Sequence, residues 1–246
     1  MRRSEPAPHI GLRRLGPLLL ILPIGCTTTH SVRTVGKGNL EFETTLGGPM
    51  TTSLGPPAPI PNAFVGARYG ILDDLDFSAH YNLTAPIVPG IGLDLQTAVH
   101  WIPIQPGLAR QQQTPEYGWS LGGGLGITWI SDFRSGLVVL PYLEAAVGWR
   151  HAWFNPFAGT ALGLNLYRPP GREHVMQLSP FLGVELILPR GAALSLRLTW
   201  HDVTYNAYGS QVDWIYMIDD VEAEEKRAPL GVSLGFSIGI PLGRER

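Results

Sequence analysis

The segment that decides the fold is Leu230-Gly231-Val232-Ser233-Leu234-Gly235-Phe236-Ser237-Ile238-Gly239-Ile240, near the C-terminus. An apolar side chain occupies every second position, and only Gly or Ser stands between them. A period of two places alternate side chains on opposite faces of a β-strand, whereas a helix would need a period of 3.6. The segment therefore predicts a strand with one apolar face and one face of small residues.

The same alternation recurs along the chain, for example from Leu75 to Leu83 and from Leu143 to Trp149. The 30 Gly and 22 Pro residues supply many turn positions and argue against a helical bundle. We therefore predict an all-β fold. Its predicted strands are 39–47, 62–70, 75–84, 91–102, 117–130, 138–150, 157–167, 177–188, 193–203 and 229–241.

The connections between these segments differ in length. Tight connections are expected at 71–74, 151–156 and 189–192, and long ones at 48–61, 168–176 and 204–228. An even number of antiparallel strands returns both termini to one side, and short turns on one side with long loops on the other are typical of single-chain membrane barrels. The Pro- and Gln-containing connection 103–116 is an exception, because it is long where a short turn is expected.

Five tryptophans lie at strand ends in the apolar register, and they predict two aromatic girdles: Trp101, Trp119, Trp129, Trp149 and Trp200. Trp119 and Trp129 are ten positions apart on one strand. That separation is about 33 Å of strand, or about 25 Å along the axis of a barrel whose strands tilt by about 40°. This height matches the apolar band of a membrane barrel. A soluble, lipocalin-like barrel with large aromatics closing both ends is the alternative.

Composition excludes several classes of function. The chain has 246 residues, of which 44% are hydrophobic and 15% charged, with a formal net charge of −2. No basic run marks a nucleic-acid partner. The single cysteine, Cys26, excludes an internal disulfide framework and a CxxC metal or redox site. We expect no cofactor and no metal site.

The N-terminus has the features of a secretory signal peptide. Basic residues precede an uncharged apolar stretch from Leu15 to Gly25, which is too short to span a bilayer as a helix. The stretch ends Leu22-Pro23-Ile24-Gly25-Cys26, which resembles the bacterial lipobox, in which the Cys is lipidated after cleavage; Pro23 stands where Leu is usual. An ordinary secretory signal is the alternative. We predict a removed signal over 1–25, a periplasmic linker or anchor over 26–38 and a barrel over 39–246.

Together these features resemble bacterial outer-membrane β-barrel proteins, with a lipoprotein-type signal, over residues 26–246. The resemblance implies a transmembrane antiparallel up-and-down barrel of about ten strands in the outer membrane of a Gram-negative bacterium. It also implies contact with membrane lipid, lipopolysaccharide and the barrel assembly machinery. Thr27 follows Cys26, where the inner-membrane retention signal has Asp, so the resemblance implies sorting to the outer membrane. One departure is the C-terminal segment 240–246, which lacks the terminal aromatic residue common in these barrels.

Charged and imidazole side chains occupy the polar register and are expected inside the barrel. This polar set consists of Glu41, Glu43, Arg68, Asp76, His80, Asp94, His100, Glu144, Arg150, Glu185, Arg197 and His201. The simplest hypothesis is a network of mutual pairs filling the interior, because buried charges persist when paired and hydrogen-bonded. A water path favouring cations is a second hypothesis.

Catalysis is a third hypothesis for the polar set. Some outer-membrane barrels are lipid acyl hydrolases or proteases that use His with Ser or Asp. The candidates here are His80, with Ser78 and Asn82 on the same face, and His201, with the adjacent Asp202.

Two further segments have no assigned chemistry. Gly122-Gly123-Gly124-Leu125-Gly126 lacks the Gly-Lys-Ser/Thr ending of a phosphate loop and lies in a strand pattern, so close packing is expected there. Segment 204–228 combines aromatic residues with an acidic cluster. It is predicted to be either a contact surface for a partner or for divalent cations that bridge lipopolysaccharide, or a solvated loop.

Overall fold

Ten antiparallel strands close into an up-and-down barrel in the computed structural model. It describes residues 32–51, 58–59, 62–87, 93–105, 117–131, 137–151, 153–164, 176–201 and 230–242. The strands are β1 (Asn39–Thr51), β2 (Ala58–Pro59), β3 (Ala63–Gly70), β4 (Leu75–Asn82), β5 (Leu93–Ile104), β6 (Gly118–Ser131), β7 (Leu137–Arg150), β8 (Phe154–Leu164), β9 (Met176–Ile187), β10 (Ala192–Trp200) and β11 (Leu230–Pro241). All except the two-residue β2 form the barrel wall.

Each wall strand pairs with its neighbours in sequence, and β11 pairs with β1 to close the wall. The closing ladder runs from Asn39 opposite Pro241 to Pro49 opposite Gly231. The predicted fold class, an antiparallel up-and-down barrel of about ten strands, is confirmed. Among the described residues, no helix has the length and apolar character that crossing a membrane requires.

Several strand boundaries differ from those predicted. β8 begins at Phe154, so the connection after β7 is shorter than 151–156. The prediction treated Pro156 as a turn residue. Pro156 instead pairs with Val184 of β9, while the ladder between β7 and β8 begins only at Gly148 and Phe157. The edge of β8 that faces β7 is unpaired at this position. A proline is therefore tolerated, because its missing N–H removes no hydrogen bond between those strands.

Two segments assigned to connections continue a strand. β5 extends past its predicted end at residue 102 to Ile104, with a register shift between Trp101 and Ile104 opposite β6. β1 continues past residue 47 to Thr51, where it pairs with β2. Both extensions contain a Pro or Gly, whose usual association with turns led the prediction to end the strand early.

The apolar register faces outward, and the polar register faces inward. Leu125 is 58% exposed and Trp119 is 64% exposed on the outer surface of β6. Arg68 and Asp76, by contrast, are 1% and 0% exposed. The wall therefore presents hydrocarbon to its surroundings and encloses charge.

Large side chains inside the barrel lie over glycines on neighbouring strands. A Cβ atom added to Gly126 would lie 2.3 Å from Tyr142, and one added to Gly183 would lie 2.5 Å from the ring of Phe157. Phe157 and Phe181 meet at a ring-centroid distance of 6.3 Å. The small residues of the inward register therefore make room for large neighbours at these positions.

Some predicted features fall outside the described residues. They are the signal segment 1–25, Cys26, Asp202, segment 204–228 and the last residues, 243–246.

Candidate functional site

Arg68 is the centre of the largest cluster of charges inside the barrel. Its guanidinium lies 3.3 Å from a carboxylate oxygen of Glu41, 3.4 Å from Glu43 and 3.8 Å from Asp76. Glu43 also lies 2.6 Å from the Nε2 atom of His80. One guanidinium thus links three carboxylates from β1 and β4, and this lowers the cost of burying each of them.

A second guanidinium enters the cluster from outside the strands. Arg33 precedes β1 and makes paired hydrogen bonds of 2.9 and 2.7 Å to Glu41. It also donates to Glu185 of β9 at 3.1 Å, while Asn155 donates to the other oxygen of Glu185 at 3.1 Å. Burial alone would lower the pKa of Arg33, but the carboxylates of Glu185 and Glu41 raise it well above its ordinary value. Arg33 therefore joins two strands that are not neighbours in the wall.

The backbone around Arg33 is also held by the barrel. The N–H of Thr34 donates to the side chain of Gln105 at 3.1 Å, and the hydroxyl of Thr34 donates to the backbone oxygen of Asp73 at 2.8 Å. The N–H of Val35 donates to Asp76 at 3.0 Å. Gly36, with φ of +83°, then allows the chain to turn into β1. Segment 32–36 therefore folds into the end of the barrel where β1 begins and β11 ends, which is the terminal end of the described chain.

A smaller cluster surrounds Arg197 of β10. The guanidinium lies 3.3 Å from Glu144, donates to Thr199 at 3.3 Å and stacks 3.6 Å from the ring centroid of Phe181. Stacking on an aromatic face and pairing with a carboxylate are both typical of buried arginine.

The candidate catalytic side chains have different partners from those proposed. Ser78 lies 3.1 Å from Nε2 of His100, whereas His80 is paired with Glu43. Asn82, also proposed beside His80, donates instead to Asp94 at 2.8 Å. Ser78 has no exposed surface.

The remaining members of the polar set lie near the two ends of the barrel. Arg150 lines a small cavity with Arg33 and Glu185 at the end that holds the termini. His201 packs over Gly231 at the opposite end, where a Cβ on that glycine would lie 2.3 Å from Nε2. No group of three or more His, Cys, Asp or Glu side chains that could hold a metal occurs in the described part of the chain.

Asp94 has an unusual environment among the buried carboxylates. It belongs to a cluster with Asn62, Asn82 and Thr84 at the barrel end away from the termini. Within the described residues, Asp94 has no ion-pair partner, and its Oδ1 atom is buried without a hydrogen bond. Asp94 was predicted for the interior, but its neutral neighbours were not identified from the sequence.

The predicted girdle tryptophans fall into two groups on the outer surface. Trp101, Trp119 and Trp149 lie toward the termini, and the rings of the last two meet edge to face at 5.1 Å. Trp129 and Trp200 lie toward the opposite end. The first group continues into two aromatics that were not predicted, Tyr117 and Trp153, whose rings lie 4.6 and 6.1 Å from that of His151.

Sequence reasoning missed Arg33 because it lies in a segment with no alternation. Asn155 was missed because the predicted boundary put it in a turn. The only signal for Arg33 was its charge. The predicted inward register holds more carboxylates than arginines, so an arginine that precedes the first strand is a candidate counter-ion. No family model matches the chain, and no curated protein shows significant similarity to it.

Proposed function

We propose that this chain is a closed outer-membrane β-barrel lipoprotein with a structural or surface-binding role. The observation that carries the proposal is the inverted polarity of the barrel. Leu125 and Phe42 are 58% and 47% exposed, while Glu41 and Arg68 are 2% and 1% exposed. A soluble barrel buries its apolar face, whereas a membrane barrel turns that face to lipid and its polar residues inward.

The distribution of exposed aromatics supports the same proposal. Trp119 and Trp153, toward the termini, are 64% and 60% exposed, and Trp200, toward the opposite end, is 37% exposed. Tryptophan favours the headgroup region, because its ring is amphipathic. Two aromatic groups separated by a band of aliphatic residues fit the two interfaces of one bilayer.

Most connection lengths support one orientation, the long connection between β5 and β6 being the exception. The connections 71–74, 151–153 and 188–191 are short and lie at the same end as the termini. Periplasmic turns of such barrels are short, and their outer loops are longer. We therefore assign the end with the termini to the periplasm. A lipid on Cys26 would enter the inner leaflet beside segment 32–36.

The interior favours a closed barrel over a pore. Arg33 bridges Glu41 and Glu185 across the periplasmic end, and Phe157 and Phe181 fill space above inward-facing glycines. A water-filled path needs an interior free of such contacts. The function we assign is to hold the outer loops at the cell surface, in contact with lipopolysaccharide or with a partner of unknown identity.

Fractionation combined with electrophoresis tests the proposal. The protein should sediment with outer membranes, resist carbonate extraction and migrate faster when the sample is not boiled. Recovery in soluble periplasm would overturn the proposal in favour of a lipocalin-like binding protein.

Planar bilayers test whether the barrel is closed. Purified protein should give no conductance steps. Steady cation-selective steps that fall with Glu144→Gln would instead support a small pore, and release of fatty acid or peptide from added substrate would support an enzyme.

A further inference from the structure

Arg33 spans the seam at which the barrel closes. Its guanidinium donates to Glu41 of β1 at 2.7 Å and to Glu185 of β9 at 3.1 Å. The order of strands along this arc of the wall is β9, β10, β11, β1, so the two carboxylates lie on opposite sides of the ladder between β11 and β1. Arg33 and Glu185 are 152 positions apart in the chain. Their contact therefore requires a wall that has curved round to its last strands.

The two strands between these carboxylates have small inward side chains. Ser195 of β10 and Ser237 of β11 line the same small cavity as the two carboxylates. Both serines are buried, and the inward positions on either side of Ser237 along β11 are glycines. Because no larger inward side chain stands in this part of β11, the guanidinium of Arg33 can reach across to β9.

The backbone beside Arg33 is fixed on the other side of the seam. The carbonyl oxygen of Arg33 accepts a hydrogen bond of 3.1 Å from Arg68 of β3. The N–H of Val35 donates to Asp76 of β4 at 3.0 Å. Segment 32–36 is therefore attached to β3 and β4 through its backbone, and to β9 through the side chain of Arg33.

The end of β11 has no other clamp among the described residues. At this end of the barrel β9 and β10 are joined by the short connection 188–191, whereas β10 connects to β11 at the opposite end. The final residues of β11 are thus held in the wall by ladder hydrogen bonds to β10 and β1. Strand ends held in this way open at low free energy.

We propose that segment 32–36 is a latch that locks the seam from inside the barrel, and that its release lets the end of β11 separate from its neighbours. The bridge that forms the latch is buried, since Glu41 and Glu185 are 2% and 3% exposed. Hydrogen bonds between ionised groups are about twice as strong as neutral ones. The latch requires only the closed barrel, whatever medium surrounds the wall.

Hydrogen–deuterium exchange of the full chain in detergent, measured by mass spectrometry, tests the latch. Arg33→Gln should accelerate exchange in 39–43 and 237–240 by at least about tenfold, the effect expected from losing even one hydrogen bond to a charged group. Exchange in β4 and β5 should stay within about twofold of the wild type. Arg197→Gln is the matched control, because it also removes a buried guanidinium, but one whose carboxylate partner, Glu144, lies on β7. It should leave exchange in 39–43 within about twofold of the wild type.

A double variant separates a latch from a counter-ion. Arg33→Gln/Glu185→Gln removes one positive and one negative charge, so the interior keeps its net charge while the bridge is lost. A latch requires exchange at the seam as fast as in Arg33→Gln. Slow, wild-type exchange in the double variant would show that Arg33 only balances charge.

A disulfide across the seam should replace the latch. Phe42 of β1 and Ile238 of β11 are paired and both face outward. In a Cys26→Ser background, oxidised Phe42→Cys/Ile238→Cys should restore slow seam exchange to Arg33→Gln. The control disulfide, Phe77→Cys/Val99→Cys, joins β4 to β5 at similarly exposed positions and should restore nothing.

Three results would overturn the inference. One is seam exchange in Arg33→Gln within about twofold of the wild type. Another is equal acceleration in β4 and β5, which would indicate a global loss of stability. The third is wild-type exchange in the double variant, which also decides the question if Arg33→Gln alone does not fold.

Discussion

Replacing Leu125 with Arg tests whether the outward apolar face meets lipid. Leu125 lies on β6 between Val99 of β5 and Leu143 of β7, and it is 58% exposed. The substitution adds charge without disturbing the interior, because the side chain points away from it. Any penalty therefore reports on what surrounds the barrel.

The size of the penalty depends on depth in the bilayer. Leu125 is six residues from Trp119 and four from Trp129, which puts it about 15 Å and about 10 Å from the two aromatic levels along the axis. Leu121 is two residues from Trp119, or about 5 Å from that level. Arg at the midplane of a membrane barrel costs about 2–4 kcal/mol, and near an interface about 0–1 kcal/mol. We expect Leu125→Arg to fall in the first range and Leu121→Arg in the second.

Denaturant unfolding of the chain refolded in lipid vesicles measures both values, with Leu125→Gln as an uncharged control that should cost less than Leu125→Arg. If water surrounds the barrel, Arg is as well hydrated at Leu125 as at Leu121. Free energies of unfolding within about 0.5 kcal/mol of the wild type at both depths would therefore refute the membrane assignment.

Three further sets of substitutions test the signal, the ion pair between Glu144 and Arg197, and the packing of the interior. Labelled palmitate should enter the wild type but not Cys26→Ser, and cleavage of the signal without labelling would make Cys26 incidental. Glu144→Gln and Arg197→Gln should each lower the free energy of unfolding by about 3–5 kcal/mol, while the double variant loses less than their sum; additive losses would exclude a direct pair. Gly159→Ala should lower the free energy of unfolding by about 1–3 kcal/mol, because the added Cβ would lie 2.3 Å from a backbone oxygen. Gly163→Ala on the same strand should leave the free energy of unfolding nearly unchanged, because the nearest atom to its added Cβ is 3.4 Å away. Equal losses at the two glycines would contradict the packing argument.

The barrel was predictable from sequence because its two faces have opposite chemistry. Leu234 and Phe236 alternate with Ser233 and Gly235, so a one-residue shift in register would exchange hydrocarbon with small polar groups. The same alternation placed Arg68 and Glu41 in the polar register. Strand ends were less predictable, as Pro156 illustrates, because whether a proline is tolerated depends on which neighbouring strand reaches it.

Pairings within the barrel could not be predicted from the same pattern. Alternation assigns a face to His80, Ser78 and His100, but the partner of each depends on strand stagger. Ser78 and His100 sit on paired strands, and His80 reaches Glu43 across the intervening strand β3. Such contacts depend on barrel tilt and side-chain length, which a single sequence does not encode locally.

The balance of charge inside the barrel depends on the segment that precedes β1. The strands place six carboxylates inside the wall but only three arginines, namely Arg68, Arg150 and Arg197, so the inward-facing strand residues alone carry an excess of three negative charges when the histidines are neutral. Arg33 enters from outside the strands and binds two of those carboxylates, which reduces the excess to two. Burying charge in a low-dielectric wall costs less as that excess falls, so Arg33 meets an electrostatic requirement that the strands by themselves leave open.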